Sequence, residues 1–266
     1  MYEFKYSKAS SVDDAVEKLK ASDDGKFIAG GMTLIPTLKQ RLASPSDVID
    51  LAGAENLAGI STDGSTVTIG AMTHHADVAT SDDVQKAIPA LAVLASGIGD
   101  PAVRHRGTIG GSIANSDPAA DYPAGVLGLN ATVVTNEREI AADDFFTDLF
   151  ETALNEEEII TAVRFPIPDC AGYIKFPNPA SGYAIVGVMV AKFGNDVRVA
   201  VTGAGASAFR VAEMEQALMA DFNPDALHGI QIPPDYLNED LHASAEYRAH
   251  LVNVMARRAA ALACGA

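Results

Sequence analysis

A chain of 266 residues is long enough for one large domain or two to three small ones. Apolar residues make up 48% of it and the mean hydropathy is +0.12, which supports a substantial core and excludes a disordered chain. Lys and Arg number 19 against 35 Asp and Glu, a formal charge of −16, and a surface this acidic repels nucleic-acid phosphates and anionic lipid. No nucleic acid is expected as a partner. The two cysteines, Cys170 and Cys264, belong to no CxxC or Cys/His cluster, so neither a zinc nor an iron–sulfur site can be built on them. They read as reduced thiols in a cytoplasmic protein. The N-terminus lacks a basic segment followed by an apolar run, and no stretch approaches ~18 uninterrupted apolar residues, so neither a signal peptide nor a membrane span is expected.

In chain order, residues 2–6 read as a strand. Ser10 and Ser11 before Asp13 and Asp14 offer N-cap chemistry for a helix through Val12, Ala15, Val16 and Leu19. Residues 26–29 read as a strand entering Gly30 and Gly31, residues 35–41 as a helix, and residues 48–51 as a short strand. The alternation over residues 59–70 around Asp63-Gly64 is a hairpin signature. A helix is expected over residues 84–98, crossed by Pro89. Residues 97–123, rich in Gly, Pro and Asp, fit no regular period. Strands are expected at 131–135 and 158–165. After the prolines at 166 and 168, residues 184–191 and 197–202 flank a Gly194-Asn195-Asp196 turn as a second hairpin. Helices at 211–220 and 243–263 close the chain. Strands and helices mix without strict alternation, which favours α+β over a doubly wound sheet.

Two segments carry more than a connection needs. In Ala29-Gly-Gly-Met-Thr-Leu-Ile-Pro36, paired glycines between a strand and a helix let main-chain amides approach a ligand, an arrangement suited to phosphate. Taken alone, such a turn is more often structural. The second segment runs from Ile98 to Asp121 and repeats the pair at Gly110 and Gly111, so two loops could close on one pyrophosphate. Asp121 could then bond a ribose hydroxyl, as acidic residues do in nucleotide sites. A structured surface loop is the competing reading of the whole segment. Gly203-Ala-Gly-Ala-Ser-Ala208 matches a dinucleotide fingerprint, yet Asp221-Phe-Asn-Pro-Asp225 stands where the next strand should be, so it reads as a structural turn. His74, His75 and Asp77 are too close in sequence to form a whole metal site, and His105 lies between Arg104 and Arg106, which would repel a cation. No nucleophile elbow, Walker lysine or HExxH appears. The chemistry is left to a bound organic cofactor.

At these same residues the sequence closely resembles the medium, FAD-binding subunit of molybdenum hydroxylases, the family that contains aerobic carbon monoxide dehydrogenase and xanthine dehydrogenase. The matching stretches are AGGMTLIPTLKQRL (29–42), TVTIGAMTHHADV (66–78), IGDPAVRHRGTIGGSIANSDPAADYPA (98–124) and KFPNPASGYAIVGV (175–188), in the family's order and spacing. The resemblance implies an α+β fold. Two FAD-binding subdomains of the vanillyl-alcohol-oxidase type would span 1–56 and 57–168, and a C-terminal domain with a three-stranded antiparallel sheet and helices would span 169–266. It also implies the site. Ala29, Gly30, Gly31, Met32, Thr33 and Leu34 would wrap one side of the FAD pyrophosphate, and Thr108, Ile109, Gly110, Gly111 and Ser112 the other. Asp121 would hold the adenosine end. Ile98, Gly99 and Tyr183 would lie at the isoalloxazine, and Thr73 and His74 in a loop approaching it. Met32 stands where many members have a polar residue, often His, so its side chain is not expected to contact the cofactor.

The resemblance further implies partners: a small subunit with two [2Fe–2S] clusters and a large subunit with molybdopterin. This chain would take electrons from the clusters and pass them to NAD+, a quinone or oxygen. The rival is a stand-alone FAD-dependent oxidase with its own substrate pocket, against which stands a length nearly filled by the cofactor-binding parts. A nucleotide-binding subunit without redox function is a second rival, opposed by the two intact diglycine loops.

Overall fold

Residues 1–265 are described by a computed structural model. The first elements are β1 (Lys5–Lys8), α1 (Val12–Lys20), β2 (Gly25–Ile28), α2 (Leu34–Lys39) and β3 (Asp47–Asp50). The Ser11 hydroxyl caps α1 by accepting from the Asp14 amide at 3.1 Å, as the serine-and-aspartate run leads one to expect. These fifty residues alternate strand and helix strictly. Accordingly the three strands pair in parallel, in the order β1-β3-β2. This is the strand–helix order read from the sequence for this stretch, and the rest of the chain is mixed.

Next come β4 (Ile60–Thr62) and β5 (Thr66–Gly70), turned by Asp63, whose carboxylate accepts from the Ser65 and Thr66 amides at 2.8 Å each. Six short helices follow: α3 (His75–Thr80), α4 (Asp82–Ala87), α5 (Pro89–Ser96), α6 (Pro101–Arg104), α7 (Ile109–Asn115) and α8 (Tyr122–Gly128). Then come β6 (Thr132–Thr135), β7 (Glu139–Ala141), α9 (Ala142–Phe145), the small hairpin of β8 (Phe146–Asp148) and β9 (Glu151–Thr152), and β10 (Ile160–Pro166). Strands β4, β5, β10, β6 and β7 form one antiparallel sheet in that order.

The last part consists of β11 (Cys170–Pro177), β12 (Ala184–Phe193), β13 (Asp196–Thr202), β14 (Phe209–Arg210), α10 (Ala212–Ala220) and α11 (Ala245–Ala263). Its sheet is antiparallel and has four strands, where three were expected. The fourth, β14, pairs through only Ala200↔Arg210 and Val201↔Phe209, too short a run to show a period. Strand β12 is buried on both faces. Val186, Val188 and Val190 pack in a core with α10 and α11, while Met189 and Ala191 join the core around α5 and α8. Buried Arg198 on β13 ties the two parts together, donating to the Leu127 carbonyl at 2.9 Å and the Asn130 side chain at 2.6 Å, and pairing with Asp143. No helix among the described residues is long and apolar enough to cross a membrane.

Three further expectations are corrected. The helix over residues 84–98 is two helices, because Pro89 cannot donate to a preceding turn and instead starts α5. Residues 97–123 are not wholly irregular but hold α6, α7 and the start of α8. Asp100 caps α6 by accepting from the Val103 amide at 2.9 Å, and Thr108 caps α7 in the same way from Gly111 at 3.1 Å. The strand expected at 2–6 begins at Lys5.

Met189 is fully buried where the C-terminal sheet meets α8. Met189→Ala should therefore destabilise the chain by about 2–5 kcal/mol in urea unfolding, and a loss under ~1 kcal/mol would show that the two parts do not share a core.

Candidate cofactor-binding cleft

The segment 29–33 leaves the carboxyl end of β2 in the parallel sheet and turns into α2, the edge where open α/β sheets place their ligands. Gly31 has φ +72°, a left-handed backbone suited to glycine. Gly30 is required for a different reason. A Cβ there would fall onto the carbonyl of Arg106, 2.6 Å from its carbon and 2.8 Å from Gly107 Cα. The first diglycine turn thus rests directly on the chain leading into the second. At Gly111 a Cβ would lie 2.9 Å from Thr108 Oγ1 and 3.3 Å from Ala29 Cβ. The two turns, about eighty residues apart in sequence, form adjoining walls of one cleft of about 690 Å³.

Of the residues expected at the site, Ala29, Gly30, Gly31, Met32, Thr33, Leu34, Ile98, Gly99, Thr108, Gly110, Gly111, Ser112, Asp121 and Tyr183 line this cleft. Thr73, His74 and Ile109 do not. The Thr73 hydroxyl is engaged with the main chain of Gly59, accepting from its amide at 3.0 Å. His74 bridges to Thr108 through the backbone and turns its ring to Asp77 at 3.2 Å, and the Ile109 side chain is fully buried in the core. These three brace the second turn from behind. The fingerprint-like turn at Gly203 lies away from this cleft; a Cβ on Gly203 would meet the Ala184 carbonyl oxygen at 2.5 Å, a structural need.

The two turns differ in what they offer. Among the described residues, none of the amides of residues 30–34 donates to a protein acceptor, so five consecutive residues lining the cleft carry N–H groups without a protein partner. Such a run is an anion-binding nest. The second turn was expected to present its amides too, and here the expectation is corrected. Its amides are used inside the protein: Ile109 donates to Thr73 O at 3.1 Å, Gly110 to Ala71 O at 2.8 Å and Gly111 to Thr108 Oγ1 at 3.1 Å. What Gly110 and Gly111 contribute is a wall without Cβ atoms. Donors on that side are the side chains of Ser112 and Asn115, the latter not foreseen.

The cleft has two ends. One is lined by Lys26, Leu51, Phe150, Leu154 and Glu158, the other by Ile98, Gly99, Asp117, Asp121 and Tyr183. Asp121 therefore shares a wall of the cleft with Ile98, Gly99 and Tyr183, the residues expected at the ring. Its carboxylate is buried, accepting from the Tyr173 hydroxyl and pairing with Lys175 Nζ at 3.0 Å. Lys175 also donates to the carbonyls of Gly97 at 2.7 Å and Gly182 at 2.8 Å, which ties the loops carrying Ile98 and Tyr183 to one ammonium. Burial pushes the Asp121 carboxyl up, against the pull of Lys175 and Tyr173. Burial, and then Asp117 and Asp121, likewise push the Tyr183 phenol up.

His75 was not singled out as a site residue, yet it lines the cleft, buried, with no partner for Nδ1. Burial first, then His74 and Arg104, lower it to about 4, so its ring is neutral at pH 7. Its ring centroid lies 5.3 Å from that of Tyr122. Its place as the buried first residue of α3 is what marks it, and no sequence pattern distinguishes it from its neighbour.

Residues 2–168 match the family model described as the FAD binding domain in molybdopterin dehydrogenase. The nicotine 6-hydroxylase medium subunit of Paenarthrobacter nicotinovorans is 36% identical, covering 96% of this chain and 95% of that protein. The carbon monoxide dehydrogenase medium chain of Hydrogenophaga pseudoflava is 35% identical, again over 96% and 95%. Among solved structures, the Hydrogenophaga pseudoflava carbon monoxide dehydrogenase lacking the Mo-pyranopterin moiety aligns with a TM-score of 0.86 at 35% identity, over 99% of this chain and 98% of that one. The reconstituted CO dehydrogenase of Oligotropha carboxidovorans aligns with a TM-score of 0.90 at 32% identity over the same shares. With two glycine-walled turns meeting in one cleft and similarity along the whole length, the chain belongs to the FAD-binding medium subunits of the molybdenum hydroxylases and is an FAD-dependent oxidoreductase subunit.

Proposed function

We propose that the chain holds FAD in the cleft between the two glycine turns and carries electrons within a multi-subunit molybdenum hydroxylase. The supporting observation is the contact of Gly30 with the Arg106 carbonyl, which brings five partnerless amides opposite a wall without side chains. A volume of about 690 Å³, in the range of small-molecule and cofactor sites, fits a dinucleotide laid along it. In this reading the amides of residues 30–34 bind the diphosphate, with the Ser112 and Asn115 side chains opposite. Ile98, Gly99 and Tyr183 bracket the ring. Phe150 and Leu51 cover the adenine end.

The chemistry that FAD supplies when bound is two-electron storage that can be filled by single electrons. The residues of this chain bind and orient it. The Lys175–Asp121 pair fixes the ring-end loops, and a neutral His75 adds no charge to the inner wall. Electrons would arrive from [2Fe–2S] clusters of a small partner subunit, after substrate oxidation at molybdopterin in a large one, and leave to NAD+, a quinone or oxygen. The relatives are themselves medium subunits or chains of about this length, which favours this reading over a stand-alone oxidase.

A Val at position 111 would drive its side chain into Thr108 and Ala29. Gly111→Val should weaken FAD by at least ~1–3 kcal/mol, enough to lose the flavin on gel filtration, while the apoprotein keeps its far-UV circular dichroism. Normal flavin content would contradict the cradle. Asp121→Ala would leave Lys175 buried without its counter-charge. The apoprotein should lose about 3–5 kcal/mol in urea unfolding, and a change under ~1 kcal/mol would mean the pair does not hold the loops.

A further inference from the structure

Strand β11 turns one face to α11 and the other to the core around α5 and α8. Side chains alternate along a strand, and the pairing of β11 with β12 shows no shift between Cys170 and Phe176. Ile174 and Phe176 pack in the core formed with α11, whereas Ala171 and Tyr173 pack in the other. Cys170 is in step with Gly172, Ile174 and Phe176, and so stands on the α11 face. Strand and helix run in opposite directions there. The Phe176 ring meets the Tyr247 ring near the start of α11, with centroids 6.2 Å apart. A Cβ on Gly172 would lie 3.0 Å from the Ala263 amide nitrogen and from Leu262 Cβ, near the end of the helix. One step further along the same face of β11 stands Cys170, and one step past the end of α11 stands Cys264.

Two further contacts converge on these cysteines. Lys192 is the cross-strand partner of Cys170, and its ammonium lies 5.2 Å from the centroid of the Phe222 ring. The Phe222 carbonyl in turn accepts from the Cys264 thiol at 3.2 Å. Both sulfurs feel the same ammonium and one feels the other. Burial raises both thiols, Cys264 raises Cys170 further, and Lys192 lowers both. Cysteines that serve packing alone are buried and inert. Here Cys264 is exposed and Cys170 half-buried, so a small reagent in solution reaches the first directly and the second through it.

We propose that Cys170 and Cys264 are an oxidisable pair, which a small disulfide such as oxidised glutathione converts into a bond fastening the C-terminal end of α11 to the first residue of β11. The Cys264 thiolate attacks one sulfur of the reagent, forms a mixed disulfide and expels one glutathione thiolate. The Cys170 thiolate then attacks the Cys264 sulfur and expels the second. The two cysteines lose two electrons, the reagent gains them, and the two thiol protons end on the two released glutathiones. The loop so closed runs from 170 to 264 and contains β12, β13 and α10, so the unfolded chain loses freedom over the C-terminal part. Strand β11 also carries Tyr173 and Lys175, the partners of Asp121, so the bond forms on the strand that holds one end of the cofactor cleft. No step involves the flavin, and the inference stands apart from the proposed function.

The test uses the full chain, first reduced completely and then treated with oxidised glutathione. The oxidised chain should have an intact mass lower than the reduced one by two hydrogens, and no thiol titratable in denaturant. A non-reducing digest should yield a peptide joining residues 170 and 264. The melting temperature should rise by at least ~4 °C and return on reduction with dithiothreitol. Cys170→Ser and Cys264→Ser should each lose both the crosslink and the rise, each variant being compared with its own reduced form so that any cost of the substitution itself cancels. Two glutathione adducts on the wild-type chain, a bond between two chains, no reaction at either thiol, or an internal bond that leaves the melting temperature unchanged would overturn the proposal.

Discussion

The structure depends on one close approach: the Cα of Gly30 against the carbonyl of Arg106. Nothing larger than hydrogen fits between them, so a side chain at position 30 would separate the parallel N-terminal sheet from the helical segment beyond it. Around that contact everything in the cleft takes its place. The first turn lines the space with amides that have no protein acceptor, and the second, anchored to Ala71, Thr73 and His75 through main-chain bonds, supplies a smooth wall. Glycine in ordered structure costs about 0.5–1 kcal/mol of backbone entropy per residue relative to alanine, a loss tolerated where the geometry admits no side chain.

The far end of the cleft is held by charge instead of by close packing. Lys175 gathers the Asp121 carboxylate and the carbonyls of Gly97 and Gly182, while Tyr173 completes the carboxylate's partners. Removing an ion pair from water is expensive, and the extra hydrogen bonds offset part of that cost. Beyond this cluster the Thr202 hydroxyl lies 2.6 Å from Ala120 O, and Gly203 donates to Pro118 O at 2.7 Å, so the C-terminal sheet grips the loop that carries Asp121. Disturbing that sheet would therefore be felt at the ring end of the cleft.

How much of this the sequence discloses varies with the range of the interaction. The diglycine turns were legible because their constraint is steric and local. The caps of α6 and α7 were legible in principle too: Asp100 before Pro101, and Thr108 three residues before Gly111, are start signals. The abundance of Gly and Pro in that segment hid them. The partners of Asp121 were not legible, since Tyr173 and Lys175 lie 52 and 54 residues away and meet it only through the third sheet. An acidic residue at the end of a glycine-rich loop suggested a sugar contact, while within the chain its partners are a tyrosine hydroxyl and a lysine. Thr73 and His74 were placed by the family resemblance, whereas the side chain that lines the cleft is that of His75.

The most direct measurement is a crystal structure of the chain grown with FAD. The account predicts the diphosphate within hydrogen-bonding distance of the amides of residues 30–34, with Gly111 Cα in van der Waals contact across the cleft and the ring beside Tyr183. A diphosphate bound elsewhere, or the ring lying at the Phe150 end, would contradict it.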